Sequence, residues 1–485
     1  MPLLERHECY KYLGKSIGLT GEDQSQINDS FDDYKGLLLK IKDCNLPINL
    51  KVSAFNNLAL GKILHHFYNT RLDCTQLKDF DDSLKVIVKE LFGLYKSTTN
   101  SVLYIPREIG GLGLKKISDV YITTRVAFLV KLLNHPVEHF KYIARTSLTL
   151  DMRKRGVTFS ASENNFLGYE LNENGFLNTK TKFSCASDWL ELSHYARKLN
   201  ITIKYVNEVA VVFKGDTYFE TLHTLQKNLY NLQTMKRIEK AHGLSLQGSY
   251  IQLEGAMRKT SHSIFYNWKV NDDLVKFCLA ARLNILPTNF TKHIWNRDNS
   301  PECYFCKHAT ESMAHVLNGC KEFNNYYSRR HDRIVSKIYG FLQAYCFEGY
   351  SLYSEKMAET VFPEYDWRSI SHRKPDIVMV NKERKDCIIV EVTVPYNLYF
   401  TYAKNGKITR YTPYCTFVES KQYTTKLIVL CFGSLGIIDS EARLGLLYFK
   451  PHADKLKELL QWCSISAVIG SNYIWRSRVK KIMRQ

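Results

Sequence analysis

Apolar residues recur at helical spacing through the first third of the chain. Residues 48–68 place an apolar side chain every three to four positions, on one face of a helix: Val52, Phe55, Ala59, Ile63 and Phe67. A second helix is predicted over 81–93, which opens with two aspartates and ends at a candidate C-cap, Gly93. A third is predicted over 120–133, stopping before Pro136. This part of the chain should therefore be helical.

The pattern becomes mixed further along. Residues 201–213 are rich in β-branched side chains and predict two short strands, while 221–243 predict one long helix followed by Gly243. Another helix is predicted over 327–342, and strand-like and helix-like segments then alternate to the C-terminus. The apolar stretch 427–438 contains two glycines and a serine, which predicts a strand that is interrupted by a turn and then resumes.

Charge and cysteine content narrow the class of protein. Lys plus Arg number 67 against 48 Asp plus Glu, a formal net charge of +19, which favours polyanionic partners such as nucleic acid. Thirteen cysteines, mostly alone in apolar context, indicate reduced thiols. The first ten residues lack a signal-peptide pattern, and the longest apolar stretch is too short to cross a bilayer. We expect a soluble protein of the cytosol or nucleus, without membrane contact.

The sharpest local motif lies at 303–320. Cys303 and Cys306 are two residues apart, and His315 and Cys320 follow with four residues between them. Three thiolates and one imidazole make a closed tetrahedral set, which is typical of structural zinc. His308 is a rival ligand, but it stands too close to Cys306 for a comfortable loop. A zinc knuckle is therefore predicted, the alternative being four reduced residues that are close by chance.

A second motif lies at 373–396. Two β-branched runs flank a polar turn, which predicts a hairpin centred between Glu383 and Arg384. That register pairs Asn381 with Asp386 and brings Asp376 opposite Glu391. Facing carboxylates repel each other unless a cation lies between them, and phosphodiester cleavage by Mg²⁺ needs such a pair. A partly solvated acidic pair without a metal is the alternative.

Proline–aspartate, a turn and then an acid in an apolar strand resemble the PD-(D/E)xK nuclease pattern. That pattern ends with Lys two residues after the second acid, where this chain has Thr393. A lysine from elsewhere would have to offset the transition-state charge. Lys421, just before a buried strand, is the first candidate and Lys426 the second.

The ordered set of motifs resembles the C-terminal part of polyproteins of non-LTR retrotransposons with a restriction-enzyme-like endonuclease. The resemblance covers nearly the whole chain. Its motifs are YKYLGKSIG (10–18), similar to the last reverse-transcriptase motif, IPREIGGLGL (105–114), FCLAARLNILPT (277–288), the knuckle, RRHDRIV (329–335), KPD (374–376), EVTV (391–394) and GSLG (433–436).

This resemblance implies an α+β multidomain chain. Its parts would be the end of a reverse-transcriptase palm (1–18), a helical thumb (19–145), a mixed nucleic-acid-binding linker (146–300), a CCHC zinc knuckle (301–322) and an α/β restriction-like endonuclease domain (323–485). It implies that Asp376 and Glu391 hold Mg²⁺, that Lys421 is the catalytic lysine, and that Arg330 and His331 lie near the scissile phosphate. Target DNA and an RNA template would be partners, in the nucleus, and self-association is possible.

Two departures from the family pattern are visible. The family usually shows Lys-x-x-Lys-Tyr before the buried strand, where this chain has Glu419-Ser420-Lys421-Gln422-Tyr423. We also expect this chain to lack the polymerase palm, because the Asp pairs at 32–33 and 81–82 both precede helical patterns and are predicted to start helices. We therefore expect no DNA synthesis by this chain alone. A nucleic-acid-binding remnant that does not cut remains the alternative to a nuclease.

Aromatic residues near basic ones are candidate base-stacking platforms. Trp268, Trp295 and Trp475 have this setting, although core packing is the commoner role of such residues. The tail 475–484 is predicted to be a solvated basic face that touches phosphate. The candidate nucleic-acid contacts are Arg282, Trp295, Arg476 and Arg478.

Overall fold

The computed structural model describes residues 9–12, 15–18, 24–154, 187–206, 209–215, 217–219, 222–251 and 255–484. Elements of the first half are β1 (Cys9–Tyr12), β2 (Lys15–Gly18), α1 (Gln24–Asp43), α2 (Ile48–Ala54), α3 (Leu60–Leu64), α4 (His66–Asn69), α5 (Cys74–Leu91), α6 (Ser101–Tyr104), α7 (Ile117–Leu133), α8 (Glu138–Lys154), α9 (Asp188–Leu199), β3 (Thr202–Val206), β4 (Val209–Lys214), β5 (Thr217–Tyr218) and α10 (Leu222–His242). A π-helical turn, Phe55–Ala59, joins α2 to α3.

Most helix and strand predictions for this half are confirmed. The predicted apolar stripe from Val52 to Phe67 is buried throughout. Gly93 follows α5 with a positive φ of 63°, the backbone conformation that a glycine C-cap provides. The two predicted strands form the antiparallel pair β3–β4, to which β5 adds a third strand.

The two Asp-Asp pairs do not start helices, so that prediction was wrong. Asp32 and Asp33 lie within α1, and Asp81 and Asp82 lie within α5, whose first residue is Cys74. Asp81 is buried and accepts a hydrogen bond from the Ser118 amide at 3.2 Å. Its role is therefore to satisfy the backbone at the start of α7, a partner that the sequence pattern alone did not indicate.

Elements of the second half are α11 (Arg258–Ser261), α12 (Asp272–Arg282), α13 (Asn289–Trp295), α14 (Met313–Asn318), α15 (Asn324–Ala344), β6 (Ser351–Ser354), α16 (Ala358–Val361), β7 (Ile377–Asn381), β8 (Asp386–Thr393), α17 (Phe400–Glu419), β9 (Thr424–Cys431), α18 (Ser440–Leu447) and α19 (Ala453–Met483). The chain forms two compact units. Unit 1 contains residues 1–46, 51–91 and 113–239, and unit 2 contains 47–50, 92–112 and 240–485.

Unit 1 is built around α7, which is buried on nearly all sides. Its buried Arg125 bonds Glu191 at 3.0 Å and Asp188 at 2.6 Å, both on α9. A buried guanidinium is tolerated only when such partners offset its desolvation. These ion pairs therefore fix α9 against α7.

Unit 2 contains a four-stranded sheet in the order β6-β7-β8-β9, antiparallel except for the parallel pair β8–β9. One sheet face packs on α15, α18 and α19, and the other on α16 and α17. Strand side chains alternate between these two cores, as the period of two requires. The α/β layering was predicted for 323–485, and the mixed α+β composition of the chain agrees with the sequence prediction.

The β7–β8 hairpin has the predicted register. Asn381 pairs with Asp386 and Ile377 with Val390. Asp376 and Glu391, the next residues outward, share the parity of Val378 and Ile389, which face α17. Both acids are thus aimed at the same covering helix.

The basic tail is the last part of α19, a 31-residue helix, and it is solvated only in part. Arg478 is buried and bonds Glu311 at 2.5 Å, so the prediction of a wholly solvated basic face is corrected. In the described ranges, no helix has both the length and the apolar character needed to cross a membrane.

Candidate active site and metal centre

Asp376 and Glu391 meet at the side of the sheet covered by α17. The Glu391 side chain is fully buried, and its Oε1 accepts a hydrogen bond from the Asp376 amide at 2.9 Å. Asp376 Oδ2 accepts one from the Val392 amide at 2.8 Å. The hairpin backbone therefore holds both carboxylates in place.

Lys407 contacts both carboxylates of this pair. Its Nζ lies 2.6 Å from Glu391 Oε2 and 3.2 Å from Asp376 Oδ2. It shares a helical stripe with the buried residues of α17, namely Tyr411, Tyr414, Cys415 and Val418. That stripe faces the sheet, and so Lys407 lies over the acids.

Lys421 and Lys426, the predicted lysines, lie elsewhere. Lys421 follows the end of α17 and stacks over the Phe417 ring at 5.1 Å. The twelve residue steps from Lys407 to Glu419, at the end of α17, span about 18 Å, so Lys421 lies far from the acids along the helix axis. Lys426 pairs with Ile388, whose side chain points to the opposite sheet face, and stacks over Tyr448 at 3.7 Å.

A sequence signal for Lys407 was present. Residues 407–411 read Lys-Ile-Thr-Arg-Tyr, which is Lys-x-x-Lys-Tyr with Arg410 in place of the second lysine. The Tyr411 hydroxyl donates to the Lys374 carbonyl at 2.9 Å, next to the Pro-Asp pair. The family pattern predicts this motif immediately before β9, but in this chain it lies more than ten residues earlier.

His331 joins the site from α15. Its Nε2 lies 3.3 Å from Asp376 Oδ2 and 3.1 Å from the Val392 carbonyl, and its Nδ1 lies 3.1 Å from Asp332 Oδ1. These partners are acceptors, so both ring nitrogens carry protons. Burial would lower the pKa of His331, but the hydrogen bond and charge of Asp376 raise that pKa to about 9. His331 is therefore an imidazolium at neutral pH.

The two carboxylates have opposite pKa shifts. Burial acts to raise the pKa of Asp376, but the hydrogen bond from His331 and the charge of Lys407 bring it down to about 2. Burial and the charge of Asp376 raise the pKa of Glu391 to about 7, although Lys407 opposes this. Two buried acids whose pKa values differ widely are typical of catalytic sites and of metal sites.

The donor set fits a hard divalent cation. Two carboxylates, one just before β7 and the other on β8, converge on one cationic group, Lys407 Nζ, and oxygen ligands are those that Mg²⁺ prefers. Asp376 and Glu391 are the residues that would hold the ion.

Arg330 is not placed to touch a phosphate. It is buried, with Nη1 donating to Ser471 Oγ at 2.8 Å and Nη2 to the Val394 carbonyl at 3.3 Å. Burial lowers its pKa to about 10, which still leaves it charged. Gly470 of α19 lies against its side chain, where a Cβ would approach Arg330 Cγ to 2.6 Å. Arg330 therefore joins α15 to α19 and to the end of β8.

Cys303, Cys306, His315 and Cys320 form a cluster whose ligand atoms all lie within 4.8 Å of one another. Cys303 Sγ is 3.8 Å from Cys320 Sγ, and Cys306 Sγ is 3.4 Å from His315 Nε2. A turn with Lys307 at φ 57° carries the first two ligands, and α14, capped by Ser312, presents His315. The predicted ligand set is thus brought together.

The chemistry of this cluster suits a soft divalent ion. Burial, with the charges of the neighbouring cysteines, raises the pKa of Cys320 to about 12, and burial also raises the pKa of Cys303. A zinc ion stabilises such thiolates and closes the set at four ligands. His308 is not among the clustered ligands in the described residues.

The predicted nucleic-acid contacts divide into buried and exposed residues. Arg282 is buried and bonds the Leu435 and Ser261 carbonyls, and Arg478 is buried against Glu311. Both guanidinium groups are used inside the fold and are not available to a phosphate. Trp295 is half-exposed, with its ring centroid 4.9 Å from that of Tyr95, and Arg476 is exposed beside Asp273.

Comparison with known proteins gives a relationship over most of the chain. The chain is 22% identical over 402 residues to a Retrovirus-related Pol polyprotein from type-1 retrotransposable element R2 of Popillia japonica, covering 81% of this chain and 65% of that protein. A second protein of the same description and organism is 25% identical over 114 residues, or 24% of this chain and 16% of that protein. This chain is homologous to the first of them, and it spans less than two thirds of either relative. No protein-family profile matches it.

Proposed function

We propose that this chain is the endonuclease part of a non-LTR retrotransposon protein, which nicks target DNA so that the new 3′ end primes reverse transcription. The observation that carries the proposal is the convergence of Asp376, Glu391 and Lys407 on one point. The homology to an R2 Pol polyprotein and the net charge of +19 support a DNA substrate.

The chain's own residues have distinct roles in this proposal. Asp376 and Glu391 would hold Mg²⁺, and the bound ion would supply Lewis-acid polarisation of the phosphoryl group and a lowered pKa of its bound water. Lys407 offsets the negative charge that builds on the phosphate and orients the attacking water. His331, held as an imidazolium, fixes the orientation of Asp376 and the end of β8. The dry setting of Glu391 strengthens each of these interactions.

The zinc knuckle has a supporting role. Cys303, Cys306, His315 and Cys320 would hold one structural Zn²⁺, which supplies folding free energy to a short segment. Asn318, at the end of the knuckle helix, donates to the Val394 carbonyl at 2.7 Å, just beyond β8. The knuckle would thereby fix the strand that carries Glu391.

A nucleic-acid-binding remnant that does not cut is the second candidate. It is favoured by the ion pairs of Lys407 with both acids, because they neutralise much of the pair's charge within the chain. Arg410 in place of the second motif lysine also favours it.

Nicking of supercoiled plasmid with Mg²⁺ separates the two candidates. We expect the wild-type chain to nick, and Asp376→Asn, Glu391→Gln and Lys407→Ala each to lower the rate by about 100-fold or more, the usual effect of removing one transition-state contact. Lys421→Ala is the matched control and should nick at the wild-type rate.

Two outcomes would contradict this assignment. Loss of nicking in Lys421→Ala with retention in Lys407→Ala would return the catalytic role to Lys421. A folded wild-type chain that shifts DNA on a gel but never nicks it would leave only the binding remnant.

A further inference from the structure

Two adjoining cavities lie along one side of α19 in unit 2. Their volumes are about 550 and 450 Å³, and they share Asp273, Asn472 and Arg476. The first extends to Trp462 and the second to Lys480, a stretch of about 27 Å along the helix axis at the usual rise per residue. We call this surface, between α19, α12 with its preceding loop, and Arg333 of α15, the α19 groove.

The charge of the α19 groove is strongly positive. Of the described residues that line it, Asp273 alone carries a carboxylate, and Arg476 contacts this group at 3.1 Å. Five basic residues line it: Lys269, Lys276, Arg333, Arg476 and Lys480. Among the described residues, no carboxylate forms a salt bridge with Lys269, Lys276, Arg333 or Lys480. These cations therefore face solvent with their charge largely uncompensated.

Aromatic surface accompanies the cations. The Trp462 ring is half-buried and has Arg333 and Lys337, one turn apart on α15, each 5.5 Å from its centroid. Trp268, next to the groove, is about half-exposed, with Lys269 at 5.4 Å. Ile465 and Ile469 continue the apolar floor along α19. Cations beside aromatic rings suit a ligand with both phosphates and planar bases.

We propose that the α19 groove binds single-stranded DNA, with phosphates on its lysines and arginines and a base against Trp462. The choice of DNA rests on the proposed nuclease function. α15 connects the two places, since His331 points to the acids and Arg333, two residues on, projects from a different face of the helix. A strand held here would belong to the same DNA whose phosphodiester bond is presented to Asp376 and Glu391.

A single strand fits better than a duplex or a peptide. Bases in a duplex stack on one another and offer no free face to Trp462, whereas an unpaired strand does. An acidic peptide would be attracted to the cations, but it has no planar bases to stack on the tryptophan rings.

The test is DNA binding by the 485-residue chain that carries Asp376→Asn, so that cleavage cannot interfere. A fluorescein-labelled 12-mer of dT is titrated and anisotropy recorded at several salt concentrations. Arg333→Gln with Arg476→Gln should lower the affinity at least tenfold and reduce the salt slope by about 1.4, because each single-strand phosphate contact contributes about 0.7. Lys455→Gln with Lys457→Gln removes the same charge from two exposed positions near the start of α19 and should change the affinity less than twofold.

Trp462→Leu tests the stacking part of the proposal. It should weaken binding by about fivefold or more and leave the salt slope unchanged, as the loss of one stacked base would. Thermal melting of each variant establishes that it folds.

Unchanged binding in the folded Arg333/Arg476 variant would overturn the proposal. So would an equal loss for a 12-base-pair duplex, a loss confined to a 12-mer of RNA, or displacement of the DNA by polyglutamate at equal charge concentration. Plasmid nicking, measured separately with Asp376 restored, reports on the nuclease, so failure of one proposal is distinguishable from failure of the other.

Discussion

At the scale of single residues, arginine is the residue type whose role the sequence misjudged. The family resemblance placed Arg330 near the scissile phosphate, and Arg282 and Arg478 were predicted nucleic-acid contacts, yet each is buried and hydrogen-bonded inside unit 2. A guanidinium group offers five donors in a plane and can tie several carbonyls together. Nothing local in the sequence separates this use from phosphate binding, because the acceptors come from distant segments such as Leu435 and Glu311.

The buried pair of Arg282 and His262 gives a pH-dependent prediction. Arg282 Nη1 lies 2.6 Å from His262 Nδ1, and a guanidinium can only donate, so His262 accepts and is neutral. Burial and the Arg282 charge hold the pKa of His262 well below 6.5. Below about pH 6.5, His262 therefore binds a proton in the unfolded chain but not in the folded chain.

We expect His262 to lower the free energy of unfolding by about 1.4 kcal/mol for each pH unit below 6.5. His262→Gln keeps an acceptor for Arg282 and has no proton to gain, so it should flatten that part of the profile. Urea unfolding at pH 7.5, 6.0 and 5.0 measures both chains. Parallel profiles would show that His262 does not set this dependence.

At the scale of elements, the sequence predicted most of what depends on local pattern. The β7–β8 register followed from alternation around one polar turn, since a slip by one residue would have exposed the whole apolar face. The helices around Val52–Phe67, 120–133 and 327–342 followed from apolar spacing. The proximity of Asp376 to Glu391, and that of the four predicted knuckle ligands, could be predicted because these residues are close in sequence or paired by that register.

Elements whose partners are remote were harder to place. Lys407 lies on α17, and only the knowledge that α17 covers the acid-bearing face brings it to the pair. The start of α5 was predicted seven residues too late, because its first two turns carry few apolar residues and the Asp pair resembled a helix start. Tertiary packing, rather than local sequence preference, therefore determines both the position of Lys407 and the start of α5.

The end of α19 is held to the knuckle segment by one buried ion pair. Glu311 and Arg478 are both almost fully buried, and Glu311 Oε2 also accepts from the Asn289 amide at 2.8 Å. Glu311→Gln would leave a buried guanidinium without its counter-charge, which typically costs about 3–5 kcal/mol. We expect this loss in the free energy of unfolding, measured by urea titration.

The neighbouring exposed pair provides the control. Asp273 and Arg476 are both more than half exposed at a distance of 3.1 Å, and such pairs contribute about 0.2–1 kcal/mol. Asp273→Asn should therefore cost no more than that. Equal effects of the two substitutions would mean that the buried pair does not fix the end of α19.

At the scale of the whole molecule, unit 2 joins a metal-binding segment to a candidate catalytic sheet through shared polar contacts. The Tyr327 hydroxyl on α15 donates to the Val316 carbonyl at 2.8 Å and accepts from the Cys320 amide at 3.1 Å. Asn318 reaches the end of β8. The knuckle therefore contacts both elements that supply His331 and Glu391, and its metal content should affect more than its own segment.

Zinc removal tests this coupling. We expect one zinc per wild-type chain by elemental analysis, none in Cys306→Ser, and one in Cys74→Ser, which removes an exposed cysteine outside the cluster. Because a structural zinc site supplies folding free energy, the Cys306→Ser chain should melt lower by roughly 5 °C or more, given about 2–4 °C per kcal/mol for a unit of this size. Plasmid nicking by chelator-treated wild type should return with zinc and magnesium together, and not with magnesium alone, because magnesium cannot restore the knuckle that fixes β8. A Cys306→Ser chain with wild-type melting and nicking would show that the cluster is not a structural metal site.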